Sequence, residues 1–94
     1  PWMSNRQGEY KILIGKEAKK ILSRLPKNLL TRISKAIDEL ARNPRPEGCK
    51  KLEGYDNFYR IRVGEWRVSY AIEDDQLIVL VIEVAPRGGA YRKL

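Results

Sequence analysis

Hydrophobic and polar positions recur along the chain with two periods, which divide it into four strand-type and two helix-type segments. Over residues 9–14 (EYKILI), Tyr10, Ile12 and Ile14 alternate with Lys11 and Leu13, which predicts a first strand ended by Gly15. Ala18, Ile21, Leu22 and Leu25 then recur at helical spacing, with Lys16, Lys19, Lys20 and Arg24 on the opposite side. Pro26 closes this helix and opens the next. Over 28–42, Leu30, Ile33, Ile37, Leu40 and Ala41 form a second apolar stripe, so the two helices read as a hairpin. The run Asn43-Pro44-Arg45-Pro46-Glu47-Gly48 stops it, and 50–57 (KKLEGYDN) reads as an irregular approach to a strand. Residues 58–63 (FYRIRV) and 66–73 (WRVSYAIE) alternate on either side of Gly64-Glu65, and LIVLVIEV (77–84) is nearly continuous in apolar residues. The last pattern predicts a central strand buried on both faces. The order β-α-α-β-β-β predicts an α+β domain, an antiparallel sheet with the helical hairpin on one face. Residues 9–94 are read as one domain and 1–8 as an N-terminal extension, the two residues before Met3 being expected to be a cloning scar.

Composition narrows the chemistry. The 94 residues carry 19 Lys and Arg against 12 Asp and Glu, a net charge of +7, and an anionic partner is expected. The charge is uneven: residues 1–49 hold 11 basic and five acidic side chains, and 50–94 hold eight and seven. No His is present, which removes Ser/His triads, His–His nuclease catalysis and ordinary zinc hydrolase sites. The single Cys49 permits no intrachain disulfide. No apolar run reaches spanning length and no signal peptide is visible, so a cytoplasmic protein without a membrane partner is expected.

The hairpin around Gly64-Glu65 carries the sharpest signal. With a two-residue II′ turn and Gly64 at positive φ, Val63 faces Trp66, Ile61 faces Val68 and Tyr59 faces Tyr70. The other sheet face then pairs Arg62 with Arg67 and Arg60 with Ser69. Like charges directly opposite destabilise a sheet by up to about 1 kcal/mol, so the arrangement makes sense where an anion sits on it. The planar guanidinium suits phosphate. The alternative is a solvated face whose arginines diverge. If the last strand joins through Asp74-Asp75 alone, Arg67 lies opposite Ile82; with a loop one residue longer it meets Glu83. After that strand, PRGGAYR (86–92) adds a glycine pair that lets backbone approach a ligand, with Arg87 for charge and Tyr91 for stacking or proton transfer. The reading against it is an unstructured tail. The cations Lys16, Lys19, Lys20, Arg24, Lys27, Arg32 and Lys35 could follow a phosphate backbone, or be the wet side of amphipathic helices.

KLEG (51–54), FYRIRVGEWRVSY (58–70) and VAPRGGAYRKL (84–94), together with the basic helical hairpin, resemble the RelE branch of the RelE/ParE toxin superfamily over about residues 9–93. The resemblance implies the toxin of a type II toxin–antitoxin pair, an endoribonuclease that cuts messenger RNA in the ribosomal A site and so inhibits translation. It implies catalytic roles for Arg60, Arg62, Arg67, Arg87 and Tyr91. RNA or ribosome contacts are expected from Lys16, Lys19, Lys20, Arg24, Lys27, Lys50, Lys51 and Arg92. Well-studied members have lysines where Arg60 and Arg62 stand; arginine holds its proton too firmly to serve as a base, so the phosphate-clamp role carries over and the base role does not. No metal or cofactor is expected. The partners implied are ribosome, messenger RNA and a cognate antitoxin with an acidic or partly disordered segment. The alternatives are a ParE-like gyrase inhibitor, a non-catalytic RNA-binding module, and a nuclease that needs no ribosome.

Overall fold

The computed structural model describes residues 9–86. Strand β1 spans Lys11–Ile14, helix α1 Lys16–Leu22 and helix α2 Lys27–Glu39; strands β2 to β5 span Lys50–Lys51, Phe58–Val63, Trp66–Glu73 and Ile78–Pro86. They form one sheet in the order β1-β5-β4-β3-β2, with β1 parallel to β5 and every other pairing antiparallel. The predicted antiparallel sheet is therefore mixed. The helical hairpin returns the chain to the start of β1, where Tyr10 N donates to Ala41 O at 2.7 Å, and β5 later runs alongside β1 in the same direction.

The core lies between the helices and one sheet face. Ala18 of α1, Ile33 and Ile37 of α2 and Leu40 just beyond it meet Ile61, Val68, Tyr70, Ile72, Val79, Val81 and Val84, all buried. Leu22 and Leu25 pack against this core as their spacing predicts; on α2 it is Leu29 and Ala36, not Leu30, that join it. Pro26 stands at the N-cap of α2, where its missing N–H costs nothing.

Two expectations for the end of the sheet change. First, β5 is not buried on both faces: Val79, Val81 and Val84 are inside, whereas Leu80 is 36% exposed. The helices cover one face only, so the apolar residues of β5 that point the other way stay at the surface. Second, both registers considered for β5 are displaced. The connection uses four residues, 74–77, with Leu77 at φ 54°, and a bulge on β5 opposite Ser69/Tyr70 adds one more. Arg67 pairs with Ala85, and Glu83 with Ser69. The segment 50–57 also contains the short edge strand β2, which pairs Lys50 with Arg60 and Lys51 with Tyr59.

Candidate nucleic-acid interface

The β3–β4 hairpin forms in the register its alternation predicts, from Val63↔Trp66 at the tip to Tyr59↔Tyr70. Gly64 has φ 61°, and among the described non-glycine residues only Leu77 has positive φ, so Glu65 does not. Positive φ at the first turn position alone is the II′ form, whose twist matches the strands. With Val63 and Trp66 closing a two-residue turn as a hydrogen-bonded pair, Arg62 and Arg67 occupy the next, non-hydrogen-bonded pair, where side chains come closest. Lys50, Arg60, Ser69 and Glu83 form the adjacent row across four strands. Three arginines and Lys50 thus share the sheet face away from the helices. Among the described residues no carboxylate forms an ion pair with Arg60 or Arg62.

Arg62 stands between two grooves. One, of about 290 Å³, is lined by Gly48, Lys50, Arg60 and Arg62. The other, of about 600 Å³, runs between α2 and β3 and brings Arg32 and Lys35 to Arg62, with Glu39 and Glu47 also in its walls. Arg32 reaches the hairpin tip: a Cβ on Gly64 would lie 3.0 Å from its Nη2. Sequence spacing left Arg32 either following a phosphate backbone or on the wet side of a helix; the packing of α2 against β3 brings it to the arginine hairpin.

Other expected contact residues lie apart. Lys16, Lys19, Lys20, Arg24 and Lys27 are exposed, and none lines either groove that holds Arg62. Lys51 is exposed opposite Tyr59, one position out of the Lys50–Arg60 row. Arg87, Tyr91 and Arg92 lie outside the described residues.

A polar clamp that spacing could not reveal braces the other end of the sheet. Arg45 donates from Nη2 to Asp74 Oδ2 at 2.8 Å and from Nε to the Tyr59 hydroxyl at 3.2 Å, with its guanidinium over the Tyr59 ring. Tyr10 donates to Asp74 Oδ1 at 2.6 Å. The hydrogen bonds from Arg45 and then Tyr10 hold the Asp74 carboxyl below its ordinary range, and the bond to Asp74 raises the Tyr10 phenol. Beneath them, buried Tyr70 donates to Pro44 O at 2.7 Å, and burial pushes its phenol up. These bonds fix the loop after α2 to the sheet and so place Gly48 and Lys50 beside Arg60. No group of three or more His, Cys, Asp or Glu side chains gathers as a metal cluster among the described residues. No described helix is long and apolar enough to cross a membrane.

Two helices on one face of a five-stranded mixed sheet, with a basic hairpin on the other face, define a small α+β class. The family described as "ParE toxin of type II toxin-antitoxin system, parDE" matches residues 12–91. The chain is 33% identical over 87 residues to the putative toxin RelE1 of Methanocaldococcus jannaschii, covering 89% of this chain and 97% of that one. It is 30% identical over 84 residues to toxin RelE of Mycobacterium tuberculosis, covering 88% and 87%. Its fold is similar to that in the archaeal RelE–RelB complex from Pyrococcus horikoshii (TM-score 0.78, 32% identity, 87% of this chain and 99% of that one). It also resembles the isolated E. coli RelE toxin (TM-score 0.75, 25% identity, 87% and 88%). The chain belongs to the RelE branch of the RelE/ParE superfamily, the toxins of type II toxin–antitoxin systems.

Proposed function

We propose that this toxin is a ribosome-dependent endoribonuclease that cuts messenger RNA in the A site, and that the open arginine face is its phosphate clamp. The observation that carries the reading is Arg62 directly opposite Arg67, with Arg60 and Lys50 in the next row. Opposed guanidiniums repel one another and together suit a phosphate between them. In the reaction, the 2′-oxygen of the RNA attacks the adjacent phosphorus and the P–O5′ bond breaks, leaving a 2′,3′-cyclic phosphate and a 5′-hydroxyl. Arg60, Arg62 and Arg67 stabilise the charge that builds on the phosphoryl oxygens. Arg87 shields or protonates the departing 5′-oxygen. Tyr91 takes the 2′-proton, and the arginines favour its phenolate. A set without His makes a slow free nuclease, so the ribosome supplies the alignment of the reacting atoms. Between activations the basic face is covered by an acidic segment of a cognate antitoxin; the similarity to a RelE solved with its RelB supports that partner.

Primer extension on a defined messenger with and without purified ribosomes tests the reading. Cuts in the A-site codon only with ribosomes, abolished by a 2′-deoxy substitution at the scissile nucleotide, are expected. No cuts from a folded, ribosome-bound protein would overturn it. The ParE description of the matching family keeps one second reading, gyrase inhibition, which a supercoiling assay excludes or establishes.

A further inference from the structure

A third groove, which the phosphate chemistry above leaves unused, runs from Tyr55 and Phe58 past Ser69 and Glu83 on the open sheet face to Glu17 and Ile21 of α1. Alternation along β3 puts Phe58 on the same face as Arg60, about 6.7 Å along the strand, which is the scale that separates a nucleobase from its own phosphate. Tyr55 folds back onto Phe58, with ring centroids 4.8 Å apart and planes at 27°. The loop that makes this fold-back closes at its base where Leu52 N donates to Phe58 O at 2.8 Å, and it turns at Gly54 with φ 88°. Tyr55 nonetheless remains 58% exposed, a large aromatic ring held outside the core. The groove encloses about 780 Å³, with Ser69 and Glu83 also lining it and Glu17 of α1 contributing a second carboxylate.

Charge divides the face. Phosphate is drawn to Arg60, Arg62 and Arg67 and repelled from a groove that carries Glu83 and Glu17. A neutral ring with hydrogen-bond donors fits the groove instead. Stacking on an exposed aromatic beside a basic track is the general way single-stranded nucleic acid is held. We propose that this groove is a nucleobase subsite. Tyr55, backed by Phe58, stacks on a base of the RNA strand whose phosphate Arg60 holds, and Glu83 accepts hydrogen bonds from that base's edge. A carboxylate oxygen accepts hydrogen bonds, so Glu83 selects an edge that donates. The Watson–Crick edge of guanine offers adjacent N1–H and N2–H donors, whereas that of uracil offers one donor between two carbonyls. Guanine is therefore favoured over uracil at this position.

The proposal rests on the RNA-cleaving reading but is tested without cleavage. A short single-stranded 2′-O-methyl RNA, which cannot be cut, is titrated against the whole chain beside the same RNA carrying abasic sites. Ring-proton shifts of Phe58, which every variant retains, are followed by NMR, so weak binding is also read. The wild type is expected to prefer the base-bearing RNA by roughly 5- to 150-fold, the range of one stacked base. Tyr55→Ala abolishes that preference, Tyr55→Phe keeps it, and Glu83→Gln reduces the advantage of guanine over uracil. A wild type that fails to distinguish the two RNAs, by binding both equally or neither, overturns the proposal. So does Tyr55→Ala that keeps the preference, or that loosens only a copurifying acidic partner, since the groove is then a protein interface. Base preference without ribosome-dependent cleavage leaves the subsite standing and removes the nuclease reading.

Discussion

Arg62 and Arg67 meet at the position of the hairpin where opposed side chains approach most closely. Like charges opposed in a sheet repel, and removing one of the two separates stability from function. Arg62→Ala is expected to raise the free energy of unfolding by about 0.2–1 kcal/mol, read as a higher midpoint in urea, while cleavage falls. A loss of both would show that Arg62 is a structural residue. Buried Tyr70 behaves in the opposite way. Its hydroxyl is the donor to Pro44 O, so Tyr70→Phe leaves a buried carbonyl without that bond and costs about 1–3 kcal/mol in the same measurement. The pairing of the arginines was legible in the sequence because Gly64-Glu65 leaves little choice of turn and the alternation on both sides agrees. The roles of Tyr70 and Arg45 were not, because their partners lie 26 and 29 positions away and nothing in the local pattern marks them.

At the scale of elements, two devices hold the open face in shape. The first is the hairpin tip. Gly64→Ala meets both the cost of φ 61° and a Cβ 3.0 Å from Arg32 Nη2. A destabilisation of about 1–3 kcal/mol is expected by thermal or urea unfolding, the Arg32 side chain moving aside more easily than the backbone. The second device is the Arg45–Asp74–Tyr10 clamp between the loop after α2 and the β4–β5 turn. Asp74 has a folded-state pKa below its unfolded value of about 4, so its contribution is present above that pH and lost as pH falls through the folded value. Tyr10 has a folded-state pKa above its unfolded value of about 10, so its contribution is present below that pH and lost as pH rises through the folded value. Melting temperature against pH should fall on both flanks, and Asp74→Ala should flatten both, since Asp74 is also the main cause of the Tyr10 shift. A mutant profile parallel to the wild type would contradict the clamp.

The same scale shows where sequence patterning fails. β3 and β4 have alternating faces and a defined turn, and both form where predicted. β2 has only Lys50 and Lys51, with no apolar period to announce a strand; it exists because the edge of β3 offers it a ladder. The register of β5 depends on Leu77 taking a left-handed conformation and on a bulge at Ile82 and Glu83, and neither carries a glycine or proline signal. The apolar run of β5 suggested two buried faces, yet Leu80 sits beside Leu13 in the neighbouring strand and both are surface residues. Periodicity reports which residues are apolar; which sheet face the helices cover is decided only when the elements pack.

Across the whole molecule, the net charge of +7 and the open basic face act together. RNA binding by the free toxin should weaken with salt, with log K falling linearly against log salt by about 0.7 per phosphate neutralised. Removing Arg62 should lower that slope, whereas removing exposed Lys19 on α1, away from the grooves at Arg62, should lower it less. Equal effects would mean that the helices, not the sheet, carry the strand. The central claim is that the arginine face is a phosphate clamp used in catalysis on the ribosome. Its most direct test is the single-turnover rate of messenger cleavage on programmed ribosomes, wild type against Arg62→Ala, with ribosome binding measured in parallel. We expect the rate to fall about 10²-fold or more, as when a transition-state donor is removed, with binding little changed. An unchanged rate with equal ribosome occupancy would contradict the account and make the face a docking surface only.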